Sequence, residues 1–338
     1  MIAAPDEARW VRAEPRRTLP ATIYRMVHAA FPCARVLDIQ PLTGGLRNAN
    51  FKLRLDSNQK QPTPEHIVLR IFEHDPSLCQ KEVDLLQLIG ASVPVPEVLH
   101  AEPHGLEDAP PFTMARYIEG ITFRDLKRSS DSDALAEASY SAGQVLAYIG
   151  RMRFSKSGWL APGPSIIRPL LEGADPVPRL VDLYLTSPNL QRRMEAKLRD
   201  RTHEVVWMWA PELVRLGAEA CLVHGDFGKR NLLVRRAAGR WNIAGVLDWE
   251  FAVSGSALID LGHFLCYERA TRPLVEPHFS AGYQQAGGNL PKNWRQIARV
   301  LDVSSLCESL THDELPDAVV TELVELVRET TTCLPVPA

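Results

Sequence analysis

The first third of the chain alternates apolar and polar positions in short runs. Asn50-Phe-Lys-Leu-Arg-Leu55 alternates strictly, and Ile67–Phe72 is a brief apolar run. Both patterns predict strands, because successive side chains of a strand point to opposite faces. We expect two further strands at Val93–Leu99 and Phe112–Ile118. This part of the sequence therefore predicts a β-rich region.

Two segments of the same region have apolar residues at helical spacing. The first is Ala21–Phe31. The second begins with Asp75 as the expected N-cap and Pro76 as the first helical residue, and Gly90 ends it. Residues 1–20 are mixed in charge and contain several prolines, so we expect them to form a loosely ordered N-terminal arm.

From Asp131 onward the apolar spacing is mostly helical, with one β interruption at residues 220–248. The helical segments are Ala134–Arg153, Leu190–Leu216, Val275–Gln285, Trp294–Leu310 and Asp317–Thr330. The chain has 338 residues, which is more than one hydrophobic core usually serves. We therefore predict an α+β protein with a β-rich N-terminal lobe at residues 1–115 and a mainly helical C-terminal lobe at residues 116–338.

The composition excludes several classes of protein. Hydrophobic residues make up 45% of the chain and charged residues 23%, as in ordinary globular proteins. The formal net charge of -3 gives no basic surface for a nucleic acid. No run reaches the ~18 apolar residues of a membrane span, and the N-terminus lacks the apolar core of a signal peptide. The six cysteines form no C-x-x-C pair, which suits a reducing compartment. We expect a cytoplasmic monomer or weak dimer without nucleic-acid or membrane partners.

The candidate chemistry lies in the β interruption. His224-Gly-Asp-Phe-Gly-Lys-Arg-Asn231 follows the apolar run Ala220–Val223, and Asp248 follows a predicted hairpin. Phosphoryl transfer from a nucleotide needs a carboxylate that orients the acceptor hydroxyl and oxygen ligands for Mg²⁺. Asp226 suits the first role, and Asn231 and Asp248 suit the second. This combination disfavours the alternative that Asp226 is a solvated turn residue.

The spacing H-x-D-x-x-x-x-N, with a further Asp after the next hairpin, is that of the catalytic loop and metal-binding Asp of protein kinases. Gly225 in place of the kinase Arg, and Asp248-Trp-Glu in place of Asp-Phe-Gly, resemble the aminoglycoside phosphotransferase and choline kinase family. The resemblance spans about Gln40 to Glu268. It implies a protein-kinase-like two-lobed fold, ATP or GTP as co-substrate, Mg²⁺ as cofactor and a small hydroxylated acceptor.

The resemblance also suggests roles for residues in and after the loop. His224 is expected to orient the loop rather than to react. Lys229 is a catalytic candidate, because Gly228 stands where kinases place a Lys for the transferring phosphate; the alternative is a solvated loop cation. Asp260 is expected to brace the loop. Glu250 is expected to cap a turn rather than to bind a second metal ion.

Arg70 and Glu82 interrupt apolar surfaces of the N-terminal lobe. Arg70 shares a strand face with Val68 and Phe72, and Glu82 lies on an apolar helix stripe. A buried charge is costly unless it is paired, so we expect these two side chains to contact each other. The resemblance identifies the pair with the nucleotide-binding Lys–Glu clamp of kinases, with Arg for Lys. A purely structural ion pair is the alternative.

The resemblance further implies nucleotide contacts from a glycine loop and from the hinge. Backbone N–H groups of the loop would approach the phosphates, although a plain hairpin turn is the alternative. Backbone groups of the hinge would bind the adenine edge. The residues concerned are Gly44, Gly45 and Asn48 in the loop and Met114, Arg116 and Tyr117 at the hinge.

We expect the acceptor pocket between the catalytic loop and the C-terminal helices. Residues 265–338 contain ten acidic and six basic residues, which mildly favours a cationic acceptor such as an aminoglycoside. A solvated charged face explains the same excess. The acidic residues expected near the cleft mouth are Asp302, Glu308, Asp313, Glu314 and Asp317. Choline, an amino acid and a sugar stay open as acceptors.

Two other classes compete with a small-molecule phosphotransferase. A catalytically silent kinase-like protein is disfavoured, because the five polar positions at the expected site are all present. A protein kinase is disfavoured, because no Ala-Pro-Glu follows Asp248 and the short run to Asp260 leaves little room for an activation loop.

Overall fold

The computed structural model describes residues 19–42, 48–56, 63–170, 175–214, 216, 219–269, 271–313 and 315–337. The predicted N-terminal arm up to residue 18 and the loop glycines Gly44 and Gly45 lie outside these residues. The described residues form a mixed α+β architecture, in which a β-sheet region precedes a mainly helical one. Within this part of the chain, none of the helices is long and apolar enough to cross a membrane.

The N-terminal region is built on an antiparallel sheet with the strand order β1-β2-β3-β5-β4. The strands are β1 (Arg35–Leu42), β2 (Ala49–Asp56), β3 (His66–Ile71), β4 (Val98–Glu102) and β5 (Phe112–Arg116). On β2, Phe51, Leu53 and Leu55 are buried, and the polar residues between them are half-buried or exposed. Helix α1 (Pro20–Ala30) packs its buried residues against this apolar face. The alternating pattern of the sequence thus becomes one covered face.

Helix α2 (Leu78–Ile89) packs against β4 and β5, and its Leu85 and Ile89 belong to the core of the helical region. The helix begins later than predicted. The Asp75 carboxylate accepts hydrogen bonds from the Ser77 backbone N–H at 3.0 Å and from its hydroxyl at 2.6 Å. These bonds close a turn ahead of the helix, so Asp75 does not cap α2 itself.

The strand predicted at Val93–Leu99 was also wrong at its start. Strand β4 begins only at Val98 and continues to Glu102. Pro94 and Pro96 have no N–H to donate to a sheet, so they end the strand pattern that the valines suggest. The Pro94 carbonyl instead accepts a hydrogen bond from the Val246 N–H at 2.8 Å, which ties this segment to the second region.

The second region is mainly helical. Its helices are α3 (Phe123–Arg128), α4 (Ser132–Ile149), α5 (Pro176–Leu185), α6 (Pro188–Arg193), α7 (Ala196–Met208), α8 (Ala210–Val214), α9 (Leu258–Leu265), α10 (His278–Gln285), α11 (Trp294–Ser309) and α12 (Asp317–Cys333). The single helix predicted at Leu190–Leu216 is divided, because Met194 takes an extended conformation between α6 and α7. Helices α4 and α10 touch backbone to backbone: a Cβ on Gly143 would lie 2.0 Å from the Phe279 carbonyl oxygen.

Two small sheets carry the functional loops of this region. One has the order β11-β10-β6, formed by β6 (Ile121–Thr122), β10 (Leu232–Ala237) and β11 (Arg240–Val246). The other has the order β8-β7-β12-β9, formed by β7 (Gly158–Ala161), β8 (Ser165–Arg168), β9 (Cys221–Val223) and β12 (Val253–Gly255). The β7–β8 hairpin and β12 were not predicted, because such short strands show no clear periodicity.

Candidate active site

Two segments converge where β9 and β12 pair. Residues 224–231 follow β9, and residues 247–252 lie between β11 and β12. Val223 lies opposite Val253 in the antiparallel pair, which brings the two segments side by side. The Leu247 N–H donates to the Asn231 carbonyl at 2.8 Å. The topology therefore places Asp226 and Asn231 next to Asp248.

The backbone at position 225 requires glycine, whereas protein kinases have arginine at the corresponding position of the loop. Its φ is +84°, in the left-handed region that favours glycine, and an added Cβ would lie 2.4 Å from the Phe251 carbonyl oxygen. Any side chain here would push the catalytic loop away from the segment that carries Asp248. Glycine thus sets the distance between the two segments.

His224 is buried and holds the loop by hydrogen bonds. Its Nδ1 accepts from the Asp226 N–H at 3.2 Å, so Nε2 carries the proton and donates to the Leu247 carbonyl at 2.9 Å. Burial lowers the pKa of His224 to about 4, so the ring is neutral. The contacts are those of the orienting residue expected from the sequence.

Asp260 lies beneath the same loop. Its carboxylate accepts hydrogen bonds from the backbone N–H groups of His224, at 2.7 Å, and Gly225, at 2.9 Å. Burial raises the pKa of Asp260 to about 7, and the two bonds oppose this rise. The expected bracing contact is therefore present, and it fixes the first turn of the loop.

Asp226 points its carboxylate toward Asn231. The Asn231 amide nitrogen donates to the Asp226 Oδ2 and also to its main-chain carbonyl, both at 2.9 Å. The buried surroundings and the nearby Asp248 carboxylate raise the pKa of Asp226 to about 7, while Arg230 opposes them. The Asn231 amide nitrogen is thus occupied, and its amide oxygen is the group left for a further partner.

Arg70 reaches across to the same place from β3. Its guanidinium lies 2.6 Å from Asp248, 3.3 Å from Glu250 and 3.3 Å from Glu82. Burial alone lowers the pKa of Arg70, but the three carboxylates outweigh it and raise the pKa. The structure brings Arg70 and Glu82 together, as the sequence predicts, and adds Asp248 and Glu250, which the sequence analysis did not connect with them.

Glu250 has a different role from the turn cap that the sequence predicts. It is buried, and its carboxylate accepts a hydrogen bond from the Asn48 amide at 2.6 Å besides the contact with Arg70. Its main-chain carbonyl accepts from the Lys81 ammonium at 2.9 Å. The expectation of a turn cap is corrected: Glu250 links the sheet region to the segment of Asp248. Two features of the sequence indicate this link: Glu250 lies two residues after Asp248, and Lys81 lies next to Glu82.

Asp248 has an unusual backbone conformation, with φ at +67°. Such a conformation costs ~1–3 kcal/mol in a non-glycine residue and persists only where the surroundings impose it. The neighbouring Trp249 is held in place, since its buried ring lies 4.6 Å from the His224 ring and its Nε1 donates to the Val246 carbonyl at 3.1 Å. The unusual backbone of Asp248 is thus followed by an anchored residue.

Lys229 differs from both sequence interpretations. Its side chain is buried, so it is not a solvated loop cation. The ammonium donates a hydrogen bond to the Phe264 carbonyl at the end of α9 and lies 5.0 Å from the centre of the Phe264 ring. This geometry makes Lys229 an anchor between the catalytic loop and α9 rather than a group that faces a transferring phosphate.

At the hinge, the backbone N–H groups of Arg116 and Tyr117 already have acceptors. Met114 is buried in the sheet core. The Arg116 N–H donates to the Glu97 carbonyl at 2.9 Å, and the Tyr117 N–H to that of His66 at 3.3 Å. Among the described residues, the Ile118 N–H has no backbone acceptor. The next free donor along the hinge is thus that of Ile118.

The donors at this site fit a magnesium ion that is shared with a nucleotide. Where the structure describes the chain, no three His, Cys, Asp or Glu side chains cluster so as to hold a metal ion. Mg²⁺ on a nucleotide does not need such a cage, because phosphates and waters complete its octahedron around one or two protein oxygens. The Asp248 carboxylate and the free Asn231 amide oxygen are donors of that kind.

The acidic residues near the C-terminus have different surroundings. Asp302 is buried, Glu308 lies 3.7 Å from His312, and Asp313 accepts a bond from Asn189 at 2.8 Å. Asp317 is exposed at the start of α12, and Glu314 lies outside the described residues. Net acidity counted along a sequence does not locate charges on a fold. The acidic mouth of the cleft therefore stays a prediction from the sequence.

Comparisons with solved structures show the fold. A mutant of aminoglycoside phosphotransferase APH(4)-Ia, in a ternary complex with AMP-PNP and hygromycin B, matches with a TM-score of 0.63 at 19% identity, over 91% of this chain and 98% of that one. A mutant of aminoglycoside 2′-phosphotransferase-IIIa in complex with GDP matches with 0.69 at 16% identity, over 93% and 98%. APH(2″)-IIa with streptomycin and ATP matches with 0.60 at 16% identity, over 93% and 97%.

These similarities confirm the kinase-like fold that the sequence predicts. No curated protein sequence matches the chain significantly. A family model described as the phosphotransferase enzyme family, APH, matches residues 38–299, which is well over half of the chain. The chain therefore belongs to the APH phosphotransferase enzyme family and is a small-molecule phosphotransferase with a hydroxyl group as acceptor.

Proposed function

We propose that this protein transfers the γ-phosphate of ATP or GTP to a hydroxyl of a small molecule in a reaction that requires Mg²⁺. The observation that carries the proposal is the adjacency of three groups. Arg70 lies 2.6 Å from Asp248, and Asp248 lies close enough to Asp226 to raise its pKa. A cation for nucleotide phosphates, a metal-binding carboxylate and an acceptor-side carboxylate are the parts that phosphoryl transfer needs.

Asp226 is proposed to accept a hydrogen bond from the acceptor hydroxyl and to aim its oxygen at the γ-phosphorus. The bond from Asn231 fixes the carboxylate in place. A pKa near 7 suits a group that takes up a proton at neutral pH, because proton transfer is most effective when the pKa lies near the working pH. Orientation and proton uptake are thus assigned to the same carboxylate.

Nucleotide binding is assigned to the sheet region. Arg70 is proposed to bind the phosphates through its planar fork, with Glu82 holding the guanidinium at 3.3 Å. Asn48, Gly44 and Gly45 are proposed to face the phosphates from the glycine loop. At the hinge formed by Met114, Arg116 and Tyr117, the free Ile118 N–H is the proposed donor to the base.

Asn231 and Asp248 are proposed to hold the metal ion through their side-chain oxygens. Bound there with the nucleotide, Mg²⁺ would neutralise charge on the phosphates. The protein contributes the fixed positions of the two oxygens: Asn231 is tied to Asp226, and Asp248 to Arg70.

The acceptor is proposed to be a small hydroxylated molecule. Similar structures contain hygromycin B, streptomycin and kanamycin, so an aminoglycoside is the acceptor that the relatives suggest. A metabolite such as choline, an amino acid or a sugar is the alternative. Cytoplasmic location and a monomeric or weakly dimeric state stay predictions from the sequence.

The test uses purified protein, labelled ATP and GTP, Mg²⁺ and a panel of aminoglycosides, choline, amino acids and sugars. We expect Mg²⁺-dependent nucleotide binding that weakens in Asp248→Asn, and transfer of label to an acceptor that is lost in Asp226→Ala. If nucleotide binding is absent, or is identical in the wild type and Asp248→Asn with and without Mg²⁺, the proposal is wrong. Nucleotide binding without transfer to any acceptor favours a catalytically silent protein.

A further inference from the structure

A cavity of about 290 Å³ lies among the loop that follows α9, the first half of α11 and the end of α12. A water molecule occupies ~30 Å³ of liquid, so the cavity has room for roughly ten waters. That space suits the polar part of a small metabolite. Gly262 and Leu265 of α9 also line the cavity.

The cavity adjoins the catalytic loop through α9. The Lys229 ammonium, three residues after Asp226, donates to the carbonyl of Phe264 near the end of α9. Its charge also lowers the pKa values of Glu268 and Asp302 against the dominant effect of their burial. Both of these carboxyl groups line the cavity. The catalytic loop and the cavity wall are therefore in electrostatic contact.

Four arginines line this cavity: Arg269, Arg272, Arg295 and Arg299. Arg299 is half-buried, and neither it nor Arg269 has a hydrogen bond or ion pair with another of the described residues. Burial first, and then the neighbouring charges of Arg269 and Arg295, lower the pKa of Arg299. Arg269 and Arg299 thus lie near each other without a direct ion-pair partner among the described residues.

Four carboxyl groups also line the cavity, so the formal charges cancel. The carboxylates, however, are largely engaged. Glu276 accepts a bond from Arg295 at 2.5 Å, and Glu268 accepts the backbone N–H groups of residues 275 and 276 at 2.8 and 2.9 Å. Asp302 is buried, which raises its pKa. Among these four carboxylates, only Glu329 raises the pKa of Arg299.

We propose that this cavity binds an anionic group of the acceptor, a carboxylate or a phosphate, through Arg269 and Arg299. The proposal rests on the phosphotransferase function and deepens it, since the acceptor becomes a hydroxylated small molecule with negative charge. Arginine suits this role, because its planar fork can donate two parallel hydrogen bonds to either group. The same charges would repel an ammonium-bearing acceptor.

The probe is sodium sulfate, titrated calorimetrically at constant ionic strength. Each charge-assisted contact that is lost should weaken binding roughly tenfold, so R269Q/R299Q should bind sulfate about a hundredfold more weakly than the wild type. Arg240→Gln, which removes an exposed arginine on the β10–β11 hairpin, should leave binding unchanged. Glu329→Gln should tighten sulfate binding several-fold, because it removes the carboxylate nearest Arg299.

Four sugars then identify the charge that the cavity prefers: glucose, glucosamine, glucuronate and glucose 6-phosphate. Tighter binding of glucuronate assigns a carboxylate, and tighter binding of glucose 6-phosphate assigns a phosphate. Either preference should vanish in R269Q/R299Q. Sulfate binding that is absent, or equal in the wild type and R269Q/R299Q, overturns the proposal. Stronger binding of glucosamine than of the anionic sugars, weakened in Glu329→Gln, overturns it as well.

The Arg70→Gln variant separates this proposal from the phosphotransferase function. Arg70 lies on the nucleotide side, so its loss should reduce nucleotide binding and leave the cavity's response to sulfate intact. If sulfate binding weakens in Arg70→Gln and not in R269Q/R299Q, sulfate binds at the nucleotide site. That result refutes the cavity assignment. Loss of nucleotide binding by the wild type would instead refute the phosphotransferase proposal alone.

Discussion

Arg70 beside the catalytic loop and Arg299 beside the cavity are both partly buried arginines, yet their surroundings are opposite. Arg70 lies within 3.3 Å of three carboxylates, which raise its pKa. Arg299 has no ion pair among the described residues, and burial and the charge of Arg269 lower its pKa. The charge of Arg70 is neutralised within the protein, whereas that of Arg299 is proposed to be neutralised by a ligand.

This difference follows the chemistry that each region has to perform. Phosphoryl transfer depends on groups that are already in place, because electrostatic stabilisation works best when nothing has to reorganise. Acceptor recognition depends on groups that gain a partner only when the ligand arrives. Hydrogen bonds within the protein organise the catalytic side. On the cavity side, Arg269 and Arg299 have no hydrogen-bond or ion-pair partner among the described residues. Four tests examine this contrast.

The largest effect is expected from Asp226→Ala. Removal of the carboxylate that orients the acceptor hydroxyl should lower turnover by ~10²–10⁴ and leave nucleotide affinity largely unchanged. Steady-state kinetics and nucleotide titration measure the two quantities. Asp133→Ala removes an exposed carboxylate in the first turn of α4 and serves as the control. Unchanged turnover in the Asp226 variant would remove Asp226 from the mechanism.

The second variant pair compares the two arginines directly by urea unfolding. Arg70→Ala leaves three carboxylates together without their cation, so the free energy of unfolding should fall by ~3–5 kcal/mol. Arg299→Ala removes a charge that lacks a partner, so the change should stay within about 0.5 kcal/mol or be stabilising. Equal losses in the two variants would contradict the distinction drawn between the sites.

The third variant tests the neutral His224 through pH. Its folded pKa of about 4 lies below the unfolded value of 6.5, so the unfolded chain takes up this proton first. Stability due to His224 is full above pH 6.5 and is lost as the pH falls toward 4, by ~3 kcal/mol in total. Asp226, Asp260 and Glu82, whose pKa values are raised to about 7, act in the opposite direction.

Because these carboxylates titrate in both proteins, the comparison of the wild type with His224→Gln isolates the contribution of His224. The difference in unfolding free energy between the two proteins should shrink steadily as the pH is lowered from 7 to 4. Thermal and urea unfolding at each pH measure it. A difference that is constant over this range would mean that His224 titrates normally in the folded protein.

The smallest effect is expected from Asn48→Ala. It removes the 2.6 Å hydrogen bond to Glu250 that joins the sheet region to the segment of Asp248. Bonds to charged groups contribute ~1.5–3 kcal/mol, so a loss of that order in stability and a raised nucleotide KM should follow. Asn242→Ala, at an exposed position of β11, is the matched control. A KM equal to that of the wild type would limit Asn48 to a structural role.

Local patterns in the sequence were sufficient for much of the fold. The alternation of Asn50–Leu55 produced β2, and the helical spacing of Trp294–Leu310 produced α11 almost residue for residue. The spacing from Asp226 to Asn231 and on to Asp248 predicted the kinase-like fold that similar structures confirm. These signals survive because they depend on neighbours a few residues apart, which the sequence itself displays.

Contacts between residues that are distant in the sequence are visible only in the folded protein. The division of Leu190–Leu216 depends on one extended residue, Met194, that no periodicity reveals. The contact of Asn48 with Glu250 joins the two regions of the fold, and that of Lys229 with Phe264 joins residues 35 positions apart. The arginines of the cavity come from a loop and from α11, and only folding brings them to one wall. The order of amino acids specifies which chemical groups are present. The fold specifies which of them neutralise one another, because charge interactions depend on distance in space and on burial.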